Sequence, residues 1–125
     1  MANVLLIEPN KVLAATYKRA LQHEGHHIVV TGSAQEAIHV VDARMPDIIL
    51  LELQLAAHDG IEFLHELRSY PEWQDIPVIL MSNTPLQHLA PIGEVLKNDL
   101  GILQCLYKPR TTLAQLLKVV REVVA

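Results

Sequence analysis

The sequence predicts an α/β fold: a doubly wound, five-stranded parallel sheet with helices on both faces. Three observations carry that expectation. Short apolar runs alternate five times with stretches whose apolar residues recur at intervals of three and four, the signature of strand followed by amphipathic helix. The runs are apolar at nearly every position instead of every second one, as strands covered on both faces require. Four of them stop at a polar group: Glu8, Glu52, Ser82 and Lys108. Alternating elements with short connections and right-handed crossovers make such a sheet parallel.

Composition bounds the class. At 125 residues, half of them apolar, residues 1–125 are expected to form one domain around one layered core. A net charge of −4 argues against non-specific nucleic-acid binding, which wants a basic face. No apolar run approaches the roughly 18 residues of a membrane span, and Val4 to Ile7 is too short for a signal peptide. Cys105 is alone and forms no internal disulfide. The expectation is a soluble cytoplasmic protein without a membrane or nucleic-acid partner.

Val4 to Ile7 is the first strand, and Pro9 suits the first turn of the helix that follows. Leu13, Tyr17, Ala20 and Leu21 line that helix until Gly25 ends it. Ile28 to Val30 is the second strand. Ser33 and Glu36 predict a capping box for a helix carrying Ala34, Ala37, Ile38 and Val41 on its apolar side. The segment MPDIILLELQLAAHDG holds the central strand, Ile48 to Leu51, closed by Glu52. Ile61, Leu64 and Leu67 mark a third helix, begun at Asp59 or Gly60 and ended before Pro71.

Pro77 to Met81 is the fourth strand and Ile102 to Tyr107 the fifth. Between them Pro85 and Pro91 exclude one regular helix, so a turn from Pro85 to Ala90 and a helix from Pro91 to about Asp99 are expected. Thr111 or Thr112 caps the last helix, whose stripe is Leu113, Leu116, Leu117, Val120, Val123 and Val124. The simplest order for these five helices and strands is flavodoxin-like, 2-1-3-4-5. Glu8, Glu52, Ser82 and Lys108 then share the carboxyl rim of the sheet. Glu8 and Glu52 flank the point where strand order reverses, which is where ligands bind in open α/β sheets.

This constellation resembles the receiver domain of two-component response regulators, over the whole chain. PDIILLELQLAAHDGIEFL is similar to the segment bearing the phosphoacceptor aspartate, with Glu52 in the aspartate's place and Asp59-Gly60 at the following Asp-Gly. PVILMS puts Ser82 where receivers carry a hydroxyl that binds a phosphoryl oxygen. LYKP puts Lys108 at the phosphate-binding lysine, before a proline whose bond is often cis in the family. The resemblance implies a cytoplasmic signalling module working with a protein such as a histidine kinase or an output protein.

The departures bear on function. The acidic pair after the first strand is here Glu8-Pro9, and proline offers no metal ligand. The acceptor is a glutamate, Ala56 replaces the proline of the following loop, and Cys105 stands at the aromatic switch position. About four extra residues lie between Ser82 and Lys108. Phosphoryl transfer depends on in-line placement and charge neutralisation. An added methylene moves a carboxylate by about 1.5 Å, and misplacement by about 1 Å can cost ~100-fold.

The expected function is therefore a stand-alone pseudo-receiver, not an enzyme, acting by protein–protein interaction without phosphorylation and without a metal cofactor. Glu52 then has two readings, as a built-in partial phosphate mimic or as a structural ion pair with Lys108. By resemblance, the interaction face comprises the fourth helix, fifth strand and fifth helix, with Lys97, Tyr107, Lys118 and Arg121 exposed, and it would also serve a homodimer. The alternatives are a Mg²⁺-dependent phosphoacceptor, using Glu8, Glu52 and a backbone carbonyl near Gln54, and a small-ligand binder at the acidic rim.

Other features have plainer explanations. His23, His26 and His27 match no zinc spacing and suit a helix end. Cys105 reads as a small core residue, and Trp73, in YPEWQD, as a partly covered anchor. No G-x-S-x-G elbow or glycine-rich phosphate loop is present.

Overall fold

The structure, a computed structural model, describes residues 2–55 and 59–125; Ala56 lies outside them. Strands β1 (Asn3–Ile7), β2 (His27–Thr31), β3 (Ile48–Glu52), β4 (Val78–Ser82) and β5 (Ile102–Tyr107) form one parallel sheet. Their order is β2-β1-β3-β4-β5, as predicted. The helices are α1 (Lys11–His23), α2 (Ala34–Ala43), α3 (Gly60–Arg68) and α4 (Leu113–Val124). No described helix is long and apolar enough to cross a membrane.

The apolar runs are unbroken because both sides of the sheet are covered. Leu5, Ile7, Ile49, Leu51 and Leu80 pack with α2 and α3 residues such as Ala37, Val41, Phe63 and Leu67. Val4, Leu6, Ile48, Leu50 and Ile79 face Tyr17 and Leu21 of α1 and Leu116 and Val120 of α4. Alternate residues of each strand thus feed opposite layers, the two-residue period of extended chain. Every residue of β3 and β4 is buried.

Local chemistry sets the helix starts, with two adjustments to the expectations. Asn10, not Pro9, leads into α1, its side chain accepting from Leu13 N at 3.0 Å; an amide oxygen can satisfy an orphan N–H, which proline cannot. Ser33 accepts from Glu36 N at 3.2 Å. The reciprocal capping box is found instead at Thr112 and Gln115, where both bonds are made. Asp59 caps α3 through Glu62 N.

Between β4 and β5 the chain departs from a regular α-helix. A 3₁₀ segment, Leu86–Ile92, holds Pro91 inside it and not at a helix start. A π-helical turn, Val95–Asp99, follows, closed by Leu100 N donating to Val95 O at 2.9 Å. Pro91 has no N–H to give, so a regular α-helical ladder cannot run through it. The Lys108–Pro109 peptide bond is trans.

Candidate functional site

Parallel pairing brings the polar strand ends to one rim. Ile7 pairs with Leu51, Glu52 with Met81 and Ser82 with Tyr107. Glu8 follows β1 directly and stands level with Glu52, and Lys108 follows β5 directly, one residue beyond Tyr107, the partner of Ser82. The ladder continues just past the ends of β1 and β3, Glu8 N donating to Thr31 O at 2.9 Å and Leu53 N to Met81 O at 3.0 Å. These bonds fix the backbone from which the two glutamates project.

Two carboxylates on neighbouring strands about 4.8 Å apart repel one another unless a cation separates them, and here Lys108 does so. Its ammonium donates to Glu52 Oε1 at 2.7 Å and to Glu8 Oε1. The second oxygen of each carboxylate turns back on its own loop: Glu8 Oε2 accepts from Asn10 N at 3.1 Å and Glu52 Oε2 from Gln54 N at 3.3 Å. All four carboxylate oxygens therefore have a donor. The three side chains are only 4–6% exposed.

Burial alone would lower the Lys108 pKa. The hydrogen bonds to Glu52 and Glu8, together with their charges, outweigh it and hold the ammonium above its ordinary value. Tyr17 of α1 lies within the field of the same group. Burial is the main reason that its hydroxyl is raised, Lys108 opposing and the two glutamates adding to the effect.

The other predicted site residues are placed as follows. Ser82 is fully buried, and its hydroxyl accepts from Thr84 N at 2.9 Å; among the described residues it meets its own loop and not a carboxylate. Cys105 lies three residues before Lys108, paired with Leu80 and half-buried against the α2–α3 layer. Burial raises its thiol pKa. Thr111, offered with Thr112 as a cap of the last helix, is not the cap, which is Thr112; the Thr111 hydroxyl donates to Tyr107 O at 2.8 Å and shapes the turn carrying Lys108.

Residues expected on the outer face divide. Lys97 and Lys118 are exposed and Tyr107 is half-buried. Arg121 is exposed but turns to Glu24 at the end of α1, because α4 packs beside α1. His26 Nδ1 accepts from Ala2 N at 3.2 Å, at the end of the sheet opposite the carboxylates. Trp73 is buried there too, tilted against Tyr70 with ring centroids 4.5 Å apart.

Comparison with known proteins places this geometry. The family model for the response regulator receiver domain matches residues 4–121. The KDP operon transcriptional regulatory protein KdpE of Escherichia coli (strain K12) is 34% identical over 82 residues, 66% of this chain and 35% of that protein. The chain thus spans about a third of that relative's length. Among solved structures, a sensor protein from Polaromonas sp. JS666 superposes with a TM-score of 0.87 at 19% identity, covering 98% of this chain and 94% of the other. The phosphorylated cyanobacterial phytochrome response regulator RcpA superposes at 0.77 with 27% identity, covering 98% and 90%. On the match across residues 4–121, the chain belongs to the response regulator receiver domains of two-component signalling.

Proposed function

We propose that this receiver domain signals by binding another protein and does not take up a phosphoryl group. The observation that carries the reading is the buried Glu8–Lys108–Glu52 group. Lys108, the side chain that would meet phosphoryl oxygens, is already held by two carboxylates. Glu52, standing for the acceptor, spends one oxygen on that lysine and the other on Gln54 N. A nucleophile held in this way has no free, correctly placed oxygen, and in-line placement of the nucleophile is what phosphoryl transfer requires. Glu52 instead supplies, permanently, one contact that a phosphoryl group would make with Lys108. The state of the domain is preset.

The partner is a signalling protein, a histidine kinase or an output protein, met by the face made of the β4–β5 connection, β5 and the outer side of α4. Leu86, Ile92, Val95, Leu103 and Leu113 are exposed apolar residues on this face, flanked by Lys97 and Lys118. The same face would serve a homodimer. Catalysis has no part in this role. The Lys108 side chain lying between the two glutamates also argues against a small-ligand site at the acidic rim.

Incubation with acetyl phosphate and Mg²⁺, followed by intact-mass measurement, tests the proposal. The expected mass is unchanged. A stoichiometric gain of one phosphoryl group would establish the domain as an active phosphoacceptor.

A further inference from the structure

We infer that the Lys108 ammonium is the resident cation of the pocket: it takes the place between Glu8 and Glu52 that a divalent cation would need, so the folded chain excludes Mg²⁺ there. Like the function proposed above, this rests on Lys108 closing the pocket, and the two ideas fail separately in the experiment below.

The coordination chemistry does not fit. Mg²⁺ requires near-octahedral oxygen ligands at about 2.1 Å and keeps several waters. The oxygens of Glu8 and Glu52 that face one another are those on Nζ. A cation bridging them would occupy the ammonium's own space, since Nζ is already within 2.7 Å of Glu52 Oε1. Pro9 supplies no further carboxylate, and among the described residues no three of His, Cys, Asp and Glu gather into a metal cluster.

Charge leads to the same result. Two carboxylates and one ammonium leave the group at −1. A divalent ion added beside the ammonium would make it +1, with like charges in contact where the side chains are 4–6% exposed and screening by salt is weak. Mg²⁺ enters only by expelling Nζ, breaking two charge-assisted hydrogen bonds that are among the stronger kind in proteins. Lysine is the cheaper cation because it is part of the chain.

Manganese, as a paramagnetic stand-in, reads the pocket directly. In the unmodified chain the backbone amide signals of Glu8, Asn10 and Gln54 are expected to stay sharp through a Mn²⁺ titration; broadening confined to His23, His26 and His27 would leave the pocket closed. In Lys108→Met, which keeps the bulk of the stem and removes its charge, the same three signals broaden saturably and Mg²⁺ restores them. Adding Glu52→Gln abolishes that response. Saturable broadening of these signals in the unmodified chain overturns the inference, and so does a folded Lys108→Met variant that takes no Mn²⁺. If the variant does not fold, the unmodified chain alone decides. An unmodified chain that takes Mn²⁺ in the pocket yet gains no phosphoryl group from acetyl phosphate overturns the inference and spares the proposed function; phosphorylation overturns the function.

Discussion

Lys108 and Glu52 meet at 2.7 Å although β4 runs between the strands that carry them. The lysine thus crosses the rim and ties the ends of β1, β3 and β5 together. Removing it leaves two carboxylates, 4% and 6% exposed, without their cation. Breaking a buried pair by deleting one partner typically costs about 3–5 kcal/mol, and the discount that applies to surface ion pairs does not apply at this burial. Lys108→Met is expected to lose stability on that scale in denaturant titration. In a Glu8→Gln/Glu52→Gln background the same substitution should cost much less, since no stranded charge remains.

Alkaline pH separates three groups by onset. Lys108 is raised in the fold, so its stabilisation is present below the ordinary lysine value of 10.5 and is lost as pH rises through the higher folded value. Cys105 and Tyr17 are also raised. Their unfolded forms release protons first, and stability falls in the same direction. The order follows the ordinary values: Cys105 from 9.0, Tyr17 from 10.0, Lys108 from 10.5. Stability measured against pH at fixed ionic strength should begin to decline above about pH 9, and Cys105→Ala should delay that onset towards the tyrosine range.

Gly60 holds the other side of the acidic loop. Its N–H donates to Leu53 O at 2.6 Å, and a Cβ there would lie 3.0 Å from Leu53 O and 3.1 Å from Glu52 O. Both obstacles are backbone, which cannot rotate away. Gly60→Ala is expected to cost about 1–3 kcal/mol and to shift the amide resonance of Gln54, whose N–H holds Glu52. An unchanged Gln54 resonance with lowered stability would mean that the strain is absorbed in α3.

What could be read from the chain was whatever a two- or four-residue period expresses. Glu8, Glu52, Ser82 and Lys108 share a rim because each ends an apolar run, and parallel pairing does the rest. The direction taken by a polar group within the rim was not legible. Ser82 turns to Thr84 N within its own loop, and Arg121 turns to Glu24, a neighbour distant in sequence. The 3₁₀ and π turns around Pro91 were signalled only as an interruption. Thr31, whose buried hydroxyl has no hydrogen-bond partner among the described residues, carried no signal at all.

Arg68 is another residue whose role only the fold exposes. From the end of α3 its guanidinium donates to Leu100 O at 2.9 Å, Trp73 O at 2.9 Å and Gln74 O at 3.0 Å. One planar fork thereby fastens the entrances of β4 and β5 to α3. A lysine, a single point donor, cannot address these directions together. Arg68→Lys and Arg68→Met should both destabilise by about 2–3 kcal/mol and speed amide hydrogen exchange around Leu100 to Ile102. Rescue by lysine would show that charge, not the fork, is what counts.

Repair of the pocket is the most demanding prediction. Glu52→Asp withdraws the carboxylate by about 1.5 Å and loosens its hold on Nζ, while Pro9→Asp adds a ligand beside Glu8. Because Asn10 caps α1, Pro9 lies outside the helix and its replacement leaves the cap in place. The double variant is expected to gain a thermal midpoint that rises with Mg²⁺ and returns with chelator, whereas the unmodified chain shows neither. Trp73 fluorescence will not report the binding step. The ring precedes β4 at the opposite end of the sheet, its carbonyl held by Arg68, so its emission should change only at global unfolding. A double variant indifferent to Mg²⁺ would mean that the ammonium of Lys108 still outcompetes the metal even after one of its carboxylates has been drawn back.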